Sequence, residues 1–128
     1  MTDTTQAPFT ARDGHNLAIF DWPLPKGLRP RGVVLIVHGL GEHAWRYNDL
    51  ALQLNDWGFV VRAYDQRGHG DSSGAPGVLP DEDALIEDLF EVVDDTRSRL
   101  AERWECPLIL LGHSMGGLVA STFVQRAM

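Results

Sequence analysis

Apolar and polar positions along this chain follow two rhythms, a two-residue alternation or unbroken run and a three-to-four-residue spacing, which take turns from one segment to the next. Residues 9–11 and 15–22 flank Asp13-Gly14, a pair suited to a tight turn because glycine accepts positive φ, so a β-hairpin is predicted there. Pro23, Pro25 and Pro30 then mark a surface loop. Residues 33–37 are an unbroken run of valine, leucine and isoleucine, as expected of a strand covered on both faces in a parallel sheet. Tyr47, Leu50, Ala51, Leu54 and Trp57 are spaced as one face of a helix, with Gly58 placed to end it. Residues 59–64 read as a second buried strand, and residues 65–77 are rich in turn formers.

The longest predicted helix covers residues 81–103, with Leu85, Leu89, Val92, Val93, Thr96 and Leu100 on one face. Asp81, Glu82 and Asp83 open it while Arg97, Arg99 and Arg103 lie near its end. That polarity suits the helix dipole, each favourable charge contributing about 0.3 to 1 kcal/mol. Residues 108–111 form a short strand, and Leu118, Thr122 and Phe123 set the face of a last helix running to Met128. The order is a hairpin followed by strand, helix, strand, helix, strand, helix. This predicts an α/β fold: an N-terminal hairpin leading into a mostly parallel, doubly wound sheet of about five strands with three helices.

Composition narrows the function classes. The 128 residues suffice for one domain, and 44% apolar with 23% charged residues is the ordinary globular range. A formal charge of -7, with no basic stripe, argues against nucleic acid as a partner, because phosphate binding needs clustered Lys and Arg. Cys106 is the sole cysteine, which rules out an intrachain disulfide and a cysteine-built metal site and leaves a packed thiol as the expected role. The first eight residues lack the apolar core of a signal peptide, and the longest apolar run is five residues, so a soluble, cytoplasmic protein is expected. No metal or organic cofactor is expected.

The chemistry sits in Gly112-His113-Ser114-Met115-Gly116-Gly117, a G-x-S-x-G pattern placed between an apolar strand and a helix. In that context the backbone reverses sharply at Ser114, lifting its hydroxyl clear of the sheet. Any Cβ at Gly112 or Gly116 should collide with the neighbouring turn. The hydroxyl then stands at a helix N-terminus, where the dipole favours developing negative charge. The Met115 N–H would face the oxyanion of a tetrahedral intermediate. A second donor is expected from the loop after the first buried strand, His38-Gly39-Leu40-Gly41-Glu42-His43, with the Leu40 N–H in that role. His38 and His43 are expected to hold this loop by hydrogen bonds.

Two rival readings come from other classes. Residues 39–44 also fit G-x-G-x-x-A after a strand, with Asp65 where a ribose-binding carboxylate would stand, so a dinucleotide-binding domain is conceivable. Helical spacing begins only near Tyr47, too late for that motif. The other rival is a catalytically silent fragment or interaction module that keeps the fold without turnover.

Three segments together resemble the monoacylglycerol lipase and lysophospholipase branch of the α/β-hydrolase superfamily: residues 38–43 with Arg46-Tyr47, residues 65–72 (Asp65-Gln66-Arg67-Gly68-His69-Gly70-Asp71-Ser72), and residues 112–117. The resemblance runs from about residue 9 to the end. It implies a serine hydrolase of carboxylic esters, acting on a small-molecule or lipid ester, with Ser114 as nucleophile and the Leu40 and Met115 amides as oxyanion hole. Residues 65–72 resemble the family's structural loop, so the resemblance does not make Asp65 or His69 a triad member. In the family the acid and then the histidine follow the nucleophile helix. Residues 1–128 therefore read as the N-terminal portion of an α/β-hydrolase domain, ending after that helix. The lid, the C-terminal part and the triad acid and histidine are expected to be absent from this chain. The strand from Pro107 to Leu111 would then be an unpaired edge, favouring a complementing C-terminal half or self-association.

Overall fold

The computed structural model describes residues 5–39, 41–72 and 82–127. Its five strands are β1 (Thr5–Thr10), β2 (Asn16–Trp22), β3 (Gly32–Val37), β4 (Phe59–Tyr64) and β5 (Leu108–Gly112), arranged in one sheet in the order β1-β2-β4-β3-β5. β1, β2 and β4 pair antiparallel, whereas β3 pairs parallel with both β4 and β5. The sheet is thus mixed, with the parallel part confined to the three strands nearest β5. A 3₁₀ turn (Ala44–Tyr47) leads into α1 (Asn48–Asp56); α2 (Glu82–Thr96) runs through a π-helical turn (Arg97–Ala101) into the short α3 (Glu102–Trp104); α4 (Met115–Ala127) follows β5. α2, the π turn and α3 form one continuous helical stretch, so three helical bodies accompany the sheet, as the spacing predicts.

The hairpin turn is longer than a two-residue one. Gly14 N–H donates to Ala11 O and Ala11 N–H to His15 O, with Gly14 at φ 89°, which makes Arg12-Asp13-Gly14 a three-residue turn closed by a left-handed glycine. β1 also begins earlier than its apolar pattern indicates. It is an outer strand, exposed over most of its length, so Pro8 is tolerated and alternation is not enforced.

The two-residue alternation of the strands sorts the core into two layers. Leu17, Ile19, Leu35, Val37 and Tyr64 meet Leu85, Ile86, Leu89, Val92 and Val93 of α2 and Val119, Ala120 and Phe123 of α4. Ala18, Phe20, Trp22, Val34, Ile36, Val61 and Ala63 face the other way, toward Ala44 and Ala51. Helices therefore cover both faces, and every residue of β3 is buried. Trp57 does not join the apolar face of α1: it is the residue after the helix and is 55% exposed.

One charged group is built into the α2 layer. Arg62 of β4 is 5% exposed and pairs with Asp21 of β2 (2.7 Å) and Asp95 of α2 (2.6 Å). Burial alone would lower its pKa, but the two carboxylates raise it above the usual arginine value. Among the described residues no helix is long and apolar enough to cross a membrane.

Candidate active site

Parallel, in-register pairing places the site. Val37 lies opposite Gly112, so His38-Gly39 and His113-Ser114 leave the carboxyl ends of adjacent strands side by side. From β3 the chain passes through α1 to β4 on one side; it later returns through α2 to β5 on the other side of β3. The gap between the ends of β3 and β5 is thus the point where strand order reverses, the usual ligand crevice of an open α/β sheet.

At this gap the backbone makes the reversal expected of the G-x-S-x-G pattern. Ser114 has φ 56°, one of two non-glycine residues with positive φ among those described, and it is exposed. Non-glycine residues occupy this region at a cost of about 1–2 kcal/mol, so the surroundings must hold it there. The restraint is visible on both sides. A Cβ on Gly116 would stand 1.9 Å from Val37 O, and one on Gly112 would stand 2.6 Å from Gly116 O. Only glycine lets α4 begin this close to β3. His113 N–H donates to Val37 O (3.1 Å) and Gly116 N–H to His113 O (2.9 Å), closing the turn. The Met115 amide opens α4 and has no intrahelical acceptor, as for any residue of a helix's first turn.

The β3 loop packs directly on this turn. A Cβ on Gly39 would lie 3.1 Å from Ser114 Cβ, 3.1 Å from His113 O and 2.9 Å from Glu42 Oε1. Leu40, the expected second oxyanion donor, lies outside the described residues. His38 is fully buried: its Nδ1–H donates to Gly39 O (2.7 Å) and its Nε2 accepts the Gln66 N–H (2.9 Å). Burial lowers its pKa and favours the neutral ring, which suits the expected structural role. His43 departs from expectation. It is exposed and makes no side-chain hydrogen bond among the described residues.

Glu42 is the residue that sequence reasoning missed. Its Oε1 accepts the Gly39 N–H (2.8 Å) and the Tyr47 O–H (2.6 Å) and lies 3.3 Å from His113 Nδ1; its Oε2 lies 3.1 Å from Arg46 Nε. The Tyr47 hydrogen bond is the largest of the causes that, against the opposing effect of burial, bring its pKa down to about 2. Tyr47 in turn is pushed up to about 12, by burial and by the neighbouring carboxylate. The sequence marked Glu42 only as one residue of the 38–43 segment and as an acid four positions before Arg46, and such pairs are usually surface decoration.

Residues 65–72 form a bracing loop. Asp65 is 2% exposed and its two oxygens accept the Ala44 N–H (2.6 Å) and Asp71 N–H (2.9 Å), while Ser72 Oγ donates to Asp65 O. Arg67 grips Asp88 of α2 through two hydrogen bonds, at 2.8 and 3.0 Å. Asp65 is therefore unavailable to a ribose, and the first helical turn after Gly41 begins only at Ala44, which removes the support for a dinucleotide site. His69 Nδ1 contacts Arg67 O (3.1 Å) and His113 turns to Glu42, so neither addresses Ser114. Among the described residues no histidine or carboxylate bonds the Ser114 hydroxyl, and no group of three His, Cys, Asp or Glu could hold a metal ion. Burial raises the Cys106 pKa, as suits an inert thiol.

Known proteins share this framework. A family model described as Hydrolase_4, serine aminopeptidase S33, matches residues 28–128. The monoglyceride lipase of Rattus norvegicus is 37% identical over 108 residues, which are 84% of this chain and 34% of the relative. The monoacylglycerol lipase of Mycolicibacterium smegmatis is 39% identical over 97 residues, 76% of this chain and 34% of the relative. A solved structure of a soluble variant of the Saccharomyces cerevisiae monoglyceride lipase, in complex with a substrate analog, matches with TM-score 0.81 at 29% identity, covering 98% of this chain and 39% of that one. The chain spans about a third of the length of these curated relatives.

Proposed function

The chain belongs to the Hydrolase_4 (serine aminopeptidase S33) family of α/β-hydrolases, and on that premise we propose that it carries the nucleophile of a carboxylic ester hydrolase, with Ser114 as the attacking group. The observation that bears most of the weight is the φ of 56° at an exposed serine wedged between Gly112, Gly116 and the β3 loop. Strain of this kind persists where a reacting atom must be presented in one orientation. The family description names a peptidase, whereas the relatives quoted above are monoacylglycerol or monoglyceride lipases. At 37% and 39% identity those relatives favour an ester of a fatty acid over a peptide as substrate.

In the proposed reaction Ser114 Oγ adds to the ester carbonyl, and the Met115 N–H, with the Leu40 N–H, stabilises the oxyanion. The alcohol then leaves, and water releases the acid from the acyl-serine. Serine is a weak nucleophile without a base. No described histidine faces it, so the triad acid and base are proposed to come from sequence following residue 128, as the order in the family implies. The same reasoning assigns the free side of β5, whose Ile109 and Leu111 are 41% and 37% exposed, to a complementing body, either that following sequence or a second copy.

The absence of a described base also favours a second reading, a module that keeps the fold without turnover. A fluorophosphonate probe separates the two. Labelling of the wild-type chain that maps to Ser114 and disappears in Ser114→Ala supports the nucleophile. A folded chain that stays unlabelled favours the silent module.

A further inference from the structure

Glu42 lies outside the chemistry described above, yet it makes more polar contacts with the site than any other described side chain. Its carboxylate reaches Gly39 and Tyr47 through one oxygen and Arg46 through the other, and it faces His113 across the strand boundary. Only 12% of the side chain is exposed. We propose that Glu42 is a positioning residue: it clamps the β3 loop onto the Ser114 turn and so sets how the nucleophile is presented. The inference rests on Ser114 being the nucleophile.

The geometry supports a coupling between loop and turn rather than simple loop stability. Gly39 has no room for a side chain: a Cβ there would lie 2.9 Å from the Glu42 carboxylate and 3.1 Å from both His113 O and Ser114 Cβ. The Glu42 carboxylate and the Ser114 turn crowd the same side of Gly39, so a shift of the loop alters the space beside Ser114. Glu42 also holds both partners at once, Gly39 in the loop and His113 next to the nucleophile, although they are separated by more than seventy residues of chain. A glutamine at this position would keep an oxygen for the Gly39 and Tyr47 donors but lose the charge facing Arg46 and His113. An alanine would lose all of these contacts. Hydrogen bonds to charged groups are about twice as strong as neutral ones, so a graded response is expected.

The test uses the full chain as wild type, Glu42→Gln and Glu42→Ala, followed by amide hydrogen exchange resolved by NMR and by the rate of fluorophosphonate labelling. In Glu42→Ala the Gly39 and Gly116 amides should exchange at least ~10-fold faster while β3 and β4 amides keep wild-type rates, in line with the loss of a charge-assisted hydrogen bond. Labelling of Ser114 should slow on the order of 100-fold, as expected for a misplacement of about 1 Å, and glutamine should recover much of it. Unchanged Gly39 exchange in both variants overturns the clamp. So does faster Gly39 exchange accompanied by wild-type Gly116 exchange and labelling, since loop and turn would then be independent. If wild type is never labelled but Gly39 and Gly116 respond together, the nucleophile assignment fails and the clamp stands.

Discussion

Ser114 holds a conformation that its own side chain disfavours, and this carries a thermodynamic signature. Glycine adopts φ 56° without the Cβ clash, so Ser114→Gly should abolish probe labelling while raising stability by about 1 kcal/mol in urea titrations. A variant that loses labelling and stability together would show that the serine is held for packing. Glu42 provides a second residue-level signature. Its folded-state pKa of about 2 lies below the ordinary 4.5, so the carboxylate stabilises the fold fully above pH 4.5. That contribution is lost as pH falls through the window from 4.5 to 2, where Tyr47, Arg46 and His113 are the groups facing it. The acid limb of an unfolding curve should therefore be shallower in Glu42→Gln than in wild type. Of these two residues the sequence revealed only one. Ser114 stands in a motif whose glycines have one steric purpose, whereas Glu42 reaches, beyond the nearby Arg46 and Tyr47, a backbone amide and the distant His113 after β5, which no pattern marks.

At the scale of elements, the strands owe their placement to alternation and the helices to their apolar faces, and the sequence carries both, although Leu50 and Leu118, expected on those faces, are exposed and Val119 and Ala120 are buried instead on α4. What alternation cannot indicate is the charge tolerated inside. Arg62 interrupts an otherwise apolar strand and is buried only because Asp21 from β2 and Asp95 from α2 converge on it. Arg62→Ala should leave Asp21 without this counter-charge and Asp95 with the exposed Arg99 alone, and cost about 3 kcal/mol, measured by chemical denaturation. A loss under 1 kcal/mol would mean that the acids rehydrate freely, since Asp21 and Asp95 keep 25% and 17% exposure. The bracing loop of residues 65–72 behaves similarly. Its composition announces turns, but the grip of Arg67 on Asp88 depends on α2 crossing above it.

At the scale of the whole molecule, the sheet has two edges, the short β1 of the hairpin, which carries Pro8, and the apolar β5. Among the described residues β5 pairs only with β3, and Ile109 and Leu111 remain exposed on the α1 side of the sheet while Leu118 and Val124 of α4 are exposed on the other. Apolar side chains along an unpaired strand edge favour association with another strand. Sedimentation velocity should therefore show the average mass rising with concentration. Ile109→Lys with Leu111→Lys should shift the chain toward monomer without altering α2 or the hairpin. A single sharp monomer boundary at every concentration would remove the case for a complementing partner.

Hydrophobic periodicity by itself determined the α/β class and the order of elements, because burial repeats at two residues in a strand and near 3.6 in a helix wherever the chain folds, and the flanking glycines marked the sharp turn at Ser114. The family resemblance picked out the three segments that follow β3, β4 and β5 at the sheet's carboxyl end. Tertiary structure alone decided that β5 joins β3 rather than β4, that Gly39 has no room for a Cβ beside Ser114, and that one carboxylate ties the two strand ends together. Those outcomes depend on distances between residues far apart in the chain. A local pattern specifies which face of an element is apolar, but not which neighbour will cover it.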